Sequence, residues 1–355
     1  MPTGKRAAGG RWRRGLAWAA AATLLAAGSL GGVVLWQNSY ALREERVTLR
    51  QAGHRLDGVL ARPEHGRGPF GLVVFVHGDG PIDATHDTFY RPMWEGFARA
   101  GYASLSFSKP GIGRSEGNWL HQSMDDRAAE TQAAIAWARH RPDIDRDRIG
   151  LWGASQAGWV LPKVAARERN LRFVIAVSPA VNWLRQGEFN LLADLQDRHA
   201  SPADRAEALR RRRVVLRLLE RGASYEEYRA ATGGHDQDMT ADRWRFVSRN
   251  YTSDATADLR AVPSGTAVLL VLAGHDRNVD AAETETVYRR LLPAGSLSVR
   301  HYPDANHSLV RTALGSGLRL TLTAAFAPRS LSASGFLDDQ RVFLQRRNTD
   351  TEAPK

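Results

Sequence analysis

Three short segments of this chain contain the residue types of nucleophilic acyl transfer. Ser155 lies in a Gly-Ala-Ser-Gln-Ala-Gly run at 153–158, Asp276 follows a glycine and a histidine, and His307 follows an asparagine. A serine hydroxyl attacks a carbonyl only when a base takes its proton and a third group holds that base in the correct tautomer. The sequence therefore predicts Ser155 as nucleophile, His307 as base and Asp276 as the acid that orients the base.

The setting of Ser155 favours this role over that of a helix-capping serine. A buried-strand pattern at 148–152 precedes it, and the small residues Gly153 and Ala157 allow a sharp turn from strand to helix. A helix that begins after Ser155 directs the positive end of its dipole at a developing negative charge. We therefore predict that Ser155 is exposed at a nucleophile elbow.

An oxyanion hole needs two preorganised donors beside the nucleophile. The backbone N–H of Gln156, the next residue, is the first candidate. The second is expected in the loop at 77–80, where we favour the N–H of Asp79, with Gly80 as the alternative. His77 is expected to orient this loop.

Two other aspartates compete with Asp276 for the role of the acid. Asp280 is placed to cap the following helix and Asp304 to stabilise a turn, whereas Asp276 directly ends a strand, as a triad requires. His275 adjoins Asp276 in a position unsuited to the base, and it is expected to be a loop histidine.

The sequence implies no cofactor and no metal site. The cluster of Asp83, His86 and Asp87 has metal-binding residue types, but its spacing matches no strong metal signature and predicts a solvated loop. The glycines at 111 and 113 lack a third glycine at nucleotide-binding spacing, which favours a turn.

The elements that must position these residues alternate between strand and helix. Apolar runs predict strands at 72–76, 102–107, 148–152, 172–177, 267–272 and 297–302, with helices between them. Two alternating segments, 46–49 and 56–60, predict antiparallel strands at the sheet edge. The pattern breaks from about 183 to 260, which we interpret as a helical cap that controls entry to the pocket. The fold class is therefore α/β, with a mostly parallel central sheet flanked by helices.

The N-terminus has the pattern of a membrane-targeting segment. Residues 1–14 are basic and 15–36 are uncharged and mostly apolar, about the length that a helix needs to span a bilayer. We favour an uncleaved transmembrane signal anchor at 15–36, with a linker at 37–45. The basic flank predicts a cytoplasmic N-terminus in the bacterial inner membrane and a catalytic domain in the periplasm or outside the cell. The alternative is secretion after cleavage near 26–28.

Charge and cysteine content exclude several classes. The formal net charge is +11, but five of the positive residues precede the apolar segment and the others are interleaved with acids. The one dense basic run, 210–213, is typical of a solvated helix face, so no nucleic-acid partner is expected. The chain has no cysteine, which rules out disulfides and a thiol nucleophile. Its oligomeric state has no signature in the sequence.

The segments 76–81, 109–117 and 306–309, together with the elbow, resemble the α/β-hydrolase superfamily over residues 46–348. Within it they are similar to serine esterases, acyl thioesterases and dienelactone-hydrolase-like or prolyl-oligopeptidase-like enzymes. The resemblance implies cleavage of a small-molecule ester or related acyl compound through an acyl-enzyme. A peptidase or acyltransferase on the same triad, or a catalytically silent binding protein, are the alternatives.

Two positions depart from the superfamily pattern. Ala157 stands where a glycine is usual, and Ser108 and Pro110 stand in a loop that often carries an aspartate and an arginine. Neither change removes a catalytic group. Residues 349–355 are expected to form a disordered tail.

Overall fold

The computed structural model describes residue 18, residues 28–234 and residues 236–352. These residues divide into two compact units. The smaller unit contains the N-terminal segment to Tyr40 and a distant segment, residues 316–331. The larger unit contains residues 41–315 and those from 332 onward, and it holds every residue of the predicted site.

The larger unit is built on one eight-stranded sheet in the order β1-β2-β4-β3-β5-β6-β7-β8. Strand β2 pairs antiparallel with β1 and β4, and every other neighbouring pair is parallel. The strands are β1 (Leu42–Gln51), β2 (His54–Pro63), β3 (Phe70–Val76), β4 (Tyr102–Phe107), β5 (Ile144–Ala154), β6 (Phe173–Val177), β7 (Ala267–His275) and β8 (Leu297–Asn306). The predicted mostly parallel sheet with an antiparallel edge is confirmed.

Continuous burial explains the strands at the centre of the sheet. Every residue of β3, β4 and β6 is buried, as expected for strands that are covered on both faces. The outer strands β1 and β8 are mostly exposed or half-buried instead, with two buried residues each. Because parallel strands end at the same sheet edge, the loops after β3, β5, β7 and β8 come together there.

Helices cover both faces of the sheet. The described helices are α1 (28–38), α2 (Arg91–Arg99), α3 (Met124–Arg139), α4 (Leu161–Arg167), α5 (Trp183–Asp197), α6 (Pro202–Glu220), α7 (Tyr225–Thr232), α8 (Ala241–Asn250), α9 (Thr256–Arg260), α10 (Ala281–Leu291), α11 (Leu318–Phe326) and α12 (Phe336–Glu352). One face of the sheet packs against α3, α4, α9 and α10, and the other packs against α2 and α12.

Five helices, α5 to α9, occupy the insertion between β6 and β7. Three of them, α6 to α8, share a small core of their own, in which the rings of Tyr228 and Trp244 stack 4.4 Å apart. The basic run 210–213 lies on α6, where Arg210 and Arg211 both pair with Glu207. It is the solvated helix face that the sequence indicated.

The C-terminal helix is longer than the sequence predicted. Helix α12 continues to Glu352, four residues into the predicted disordered tail, while 353–355 lie outside the described residues. The helix extends because Asn348 is still anchored to the Ala100 carbonyl, and each further residue adds a backbone hydrogen bond. The predicted anchor at 15–36 falls mostly outside the described residues. Within the described part of the chain, no helix has the length and apolar character that spanning a membrane requires.

Candidate active site

The sharp turn after β5 presents Ser155 at the loop edge of the sheet. Ser155 has a φ of 55°, in the left-handed region, and begins a short 3-10 turn that leads into α4. A Cβ atom on Gly153 would lie 2.7 Å from the Ala157 Cβ and 2.8 Å from the Val76 carbonyl oxygen. A Cβ on Gly158 would collide with the backbone of Ala180. The elbow therefore requires its small residues, and Gly158 as well as Gly153 is among them.

The structure brings His307 and Asp276 together from the ends of adjacent strands. The His307 Nδ1 lies 2.8 Å from Oδ2 and 2.9 Å from Oδ1 of Asp276. The buried Asp276 carboxylate also accepts the backbone N–H groups of Asn278 and Val279, each at 2.8 Å. This arrangement places the ring proton on Nδ1 and leaves Nε2 with its lone pair, as a base requires.

The competing aspartates lie elsewhere. Asp280 caps α10, where its carboxylate accepts the N–H groups of Ala282 and Glu283 at 3.0 Å each. Asp304 lies within β8, and its backbone carbonyl accepts the Thr312 hydroxyl. Only Asp276 among these three aspartates contacts the ring of His307.

Ser155 and His307 line the same cavity, which has a volume of about 440 Å³. No hydrogen bond joins the serine hydroxyl to the histidine ring in this structure, and such contacts often tighten only when substrate binds. Its lining includes six apolar or aromatic residues: Phe89, Tyr90, Met93, Trp152, Val177 and Phe336. His86 and Asp87 also line the cavity, and Asp87 is exposed. The site can thus hold an apolar group beside the nucleophile.

The two predicted oxyanion donors belong to segments that adjoin Ser155. A Cβ built on Gly78 would be 3.5 Å from the Ser155 Cβ, so the 77–80 loop passes directly against the nucleophile. The side chains of Gln156 and Asp79 are joined, Nε2 to Oδ1, at 3.0 Å. Among the described residues, the amide N–H of either residue has no hydrogen-bond partner. Both donors are therefore available to a ligand.

Two buried cations support this loop, and the sequence reasoning missed both. Arg127 donates to the His77 carbonyl at 2.5 Å and to the Gln156 Oε1 at 2.6 Å, while the Lys109 Nζ donates to the Gly78 carbonyl at 2.5 Å. Arg127 lies in the first turn of α3, where the helix dipole disfavours a cation. A positive charge at this end of a helix was the one sign in the sequence that Arg127 has a partner elsewhere in the fold.

Burial controls the protonation of these groups. It lowers the pKa of Lys109 well below the ordinary value, an effect that the nearby charge of Arg127 increases. Burial also raises the pKa of Glu130, which lies close to both cations. Arg127 places a guanidinium against the 77–80 loop and the Gln156 side chain.

His77 is the structural residue that the sequence indicated. Its Nε2 lies 2.7 Å from the Phe107 carbonyl oxygen and its Nδ1 lies 3.0 Å from the Tyr90 hydroxyl. The Nε2 must carry the proton because a carbonyl can only accept, and Nδ1 then accepts from the tyrosine. Burial, followed by the charge of Lys109, lowers the pKa of His77 to about 3. The ring is neutral and ties the loop to β4.

Helices of the insertion contact the loops that surround the site, but they do not form part of the cavity lining. Arg243 of α8 makes a bidentate ion pair with the Asp79 carboxylate, at 2.9 and 2.6 Å. From α5, Gln186 and Asn190 donate to the carbonyl and the side chain of Asn278. None of the described residues of the insertion lines the cavity. The cap therefore braces the loops around Ser155 and His307, which differs from the lid over the pocket that the sequence suggested.

Four tryptophans of the larger unit, Trp94, Trp119, Trp159 and Trp183, do not line the cavity. Trp94 is fully buried in the core, and Trp159 stacks on Trp183 at 4.8 Å. Trp119 packs over the Lys109 ammonium at 4.6 Å. Trp152, on β5 three residues before the nucleophile, faces the cavity instead, and the uniformly buried run 149–153 around it contained no signal of this.

Comparison with known proteins places these features in a family context. The family model for the X-Pro dipeptidyl-peptidase (S15 family) matches residues 32–303. The quorum-quenching protein AidA of Acinetobacter baumannii is 34% identical over 110 residues, 30% of this chain and 35% of that protein. The thiohydrolase aneE of Aspergillus aculeatus is 31% identical over 110 residues, 31% of this chain and 34% of that protein. The match thus spans about a third of each relative's length.

A solved structure with a similar fold is the α/β hydrolase GrgF from a Penicillium species. It has a TM-score of 0.55 and 18% identity, and the alignment covers 86% of this chain and 99% of that one. At this identity the likeness concerns the fold alone, and it agrees with the α/β-hydrolase architecture expected from the sequence.

Proposed function

This chain belongs to the X-Pro dipeptidyl-peptidase (S15) family and is an enzyme of the α/β-hydrolase superfamily; we propose that it is a serine hydrolase that cleaves a carboxylic ester or thioester through an acyl-enzyme. One observation carries the proposal. The cavity lined by the elbow residue Ser155 also contains His307, whose Nδ1 is held by the buried Asp276 carboxylate.

The proposed reaction begins when the Ser155 hydroxyl attacks the acyl carbon and His307 Nε2 takes its proton. Asp276 holds the Nδ1 proton and stabilises the imidazolium that forms. His307 then protonates the leaving oxygen or sulfur as the bond from that atom to the acyl carbon breaks. In the second half, His307 takes a proton from water, the resulting hydroxide attacks the acyl-enzyme, and Ser155 leaves with a proton.

The negative charge of each tetrahedral intermediate falls to the carbonyl oxygen of the substrate. We propose that the N–H groups of Gln156 and Asp79 bind this oxyanion. Loss of one such donor typically lowers kcat by about a hundredfold to a thousandfold. The side chains of Gln156 and Asp79 are hydrogen-bonded to each other, and Arg127 donates to Gln156, so both donors are held in place before substrate binds.

The cavity supports an apolar acyl group as the substrate class. Six of its lining residues are apolar or aromatic, and they share the cavity with Ser155. The lining carboxylate Asp87 is exposed to solvent. The similarity to a thiohydrolase supports thioesters beside oxygen esters. The family name supports a second candidate, peptidase action on a peptide with proline at the second position. An acyltransferase would use the same acyl-enzyme and another acceptor in place of water.

Hydrolysis assays separate these candidates. We expect the full chain to cleave p-nitrophenyl esters, and Ser155→Ala to lower kcat/KM by at least about a thousandfold, because the nucleophile is lost while binding remains. X-Pro p-nitroanilides, assayed in parallel, test the peptidase. If the anilides are cleaved faster than every ester, the esterase assignment is wrong.

A fluorophosphonate probe provides an independent test of the nucleophile. It should label the native chain at Ser155 and leave Ser155→Ala unlabelled. Ser308→Ala is the matched control, since this serine lines the same cavity and its loss should leave the labelling intact. If the native chain neither turns over a substrate nor becomes labelled, a catalytically silent binding protein is favoured.

We also propose that residues 15–36 anchor the chain in the bacterial inner membrane, with the larger unit on the periplasmic or outer side. The basic residues at 5–14 and the uncharged segment that follows support this orientation. Protease protection of spheroplasts tests it, because the larger unit should be digested from outside.

A further inference from the structure

Helix α11 exposes the side chains that a helix normally buries. Leu318, Leu322 and Phe326 lie along one stripe and are 74%, 46% and 52% exposed, and α11 has no fully buried residue. The spacing of four residues keeps these three side chains on one face. A continuous apolar stripe that faces outward indicates a contact with something other than water.

The same inversion occurs on α1, the helix that pairs with α11 in the smaller unit. Leu30, Val33, Leu35 and Trp36 are between 53% and 70% exposed, whereas the polar Gln37 is 8% exposed. The Gln37 Oε1 accepts the Arg329 N–H at 3.2 Å, and the Asn38 side chain donates to the Ala325 carbonyl at 3.3 Å. Helix α1 thus joins α11 and the turn that follows it through polar groups, and both helices direct apolar groups outward.

Charge and aromatic residues identify the occupant of this surface. The smaller unit has no acidic residue in either of its segments, 1–40 and 316–331, whereas Arg319 and Arg329 lie in the second. The Arg329 guanidinium lies over the rings of Trp36, at 5.1 Å, and Tyr40, at 4.6 Å. Tryptophan, tyrosine and arginine are the residues that accumulate where acyl chains meet headgroups. A basic, acid-free surface with an aromatic and arginine cluster is complementary to an anionic lipid bilayer.

We propose that α11 is an interfacial membrane helix, which lies in the bilayer surface beside the proposed N-terminal anchor. It has nine residues, too few to cross the hydrocarbon core, which requires about 20. A short helix with one apolar stripe is instead expected to lie with that stripe among the upper acyl chains. The chain therefore holds the membrane at two points that are far apart in sequence. This inference rests on the proposed anchoring and adds a second contact to it.

Site-directed labelling tests the proposal in the full chain. Because the sequence has no cysteine, Leu322→Cys gives a single attachment point for an environment-sensitive fluorophore. Ala324→Cys, exposed on the opposite side of α11, is the matched control, and Ala136→Cys, exposed on α3, reports the larger unit. The labelled proteins are placed in vesicles of phosphatidylcholine and phosphatidylglycerol, some of whose acyl chains carry a nitroxide quencher.

We expect the nitroxide to quench the label at position 322 severalfold more than the labels at 324 and 136, and aqueous iodide to quench in the reverse order. The proposal is overturned if the protein floats with the vesicles but iodide quenches position 322 as strongly as position 136; the anchor alone would then stand. If the protein does not float, both proposals fail. If the floated protein has lost its N-terminus by mass and position 322 is still shielded, α11 binds lipid and the anchor fails.

Discussion

The backbone of Ser155 illustrates how single residues hold the site. A left-handed conformation at a residue with a side chain is unfavourable unless its surroundings enforce it. Here the Ser155 carbonyl accepts the Ala180 N–H at 3.0 Å, and the small residues around it leave room for the turn. The strain is thus fixed by the packing of β5 against the segment after β6.

Gly153→Ala tests how closely this elbow is packed. The added methyl would lie 2.7 Å from the Ala157 Cβ, so we expect destabilisation of about 1–3 kcal/mol in urea unfolding. Gly187→Ala on α5 is the control, because no atom lies within 4 Å of its added Cβ and alanine favours a helix. Equal stabilities for the two variants would show that the elbow yields without strain.

The neutral state of His77 predicts a pH dependence of stability. Its pKa is lowered from 6.5 to about 3 in the folded chain. Between these values the unfolded chain binds more protons, so stability falls as the pH falls, at up to about 1.4 kcal/mol per pH unit. We expect His77→Gln, which cannot titrate, to remove this part of the slope in denaturant unfolding between pH 6.5 and 3. Parallel slopes for the two proteins would contradict a neutral buried His77.

Residue types and order made the predicted triad readable from the sequence. Each member follows a recognisable strand, and parallel strands must end together. Arg127 and Lys109 were not readable, because their partners are backbone carbonyls brought close only by the fold. Trp152 was hidden for a related reason, since a continuous apolar strand does not reveal which of its faces meets a cavity.

At the scale of elements, the positions of the strands were predictable, but the contacts that the insertion makes with the site were not. The apolar runs located β3 to β7 to within a few residues, while pairing with neighbours lengthened β1, β2 and β8. The insertion was expected from the interrupted alternation. Its contacts with Asp79 and Asn278 depend on how α5 and α8 pack. Helical periodicity predicts the buried face of a helix, but not which loop that helix will contact.

The ion pair from α8 gives an element-scale prediction. Arg243→Ala frees the Asp79 side chain and loosens the proposed oxyanion donor, so we expect kcat for ester hydrolysis to fall about tenfold with little change in KM. Arg243→Lys should restore part of the loss. Arg245→Ala, two residues along the same helix and paired with Asp242, is the control and should retain the native kcat. An equal loss in both arginine variants would indicate general damage to α8.

At the scale of the whole molecule, the chain alternates between its two units. Residues 316–331 leave the larger unit after β8 and return at Ser332, before α12. Local patterns could not predict that this segment joins the N-terminal helix, because the pairing connects positions nearly 290 residues apart. The separate cores of the larger unit are formed without residues from the smaller one.

A variant that begins at Ala41 tests whether the larger unit is self-sufficient. Because its sheet and cores lie within its own residues, we expect a cooperative unfolding transition and a kcat within about twofold of the full chain. The measurement is ester hydrolysis alongside thermal unfolding. A broad, non-cooperative transition would show that the N-terminal segment is needed for folding.

Strand β8 ends the sheet, and among the described residues its outer edge pairs with no further strand beyond a single bridge from Ala305 to Arg311. Such an edge can recruit another chain and start fibrous aggregation. Here Pro303 lacks an N–H to offer, and the charged Arg300 and His301, whose ring contacts the Glu285 carboxylate, lie on the same strand. A second β8 brought alongside would meet a proline and a repeated cation. Strand β8, which leads to the proposed base His307, is therefore also protected against edge-to-edge pairing with a second copy of the chain, even at high protein concentration.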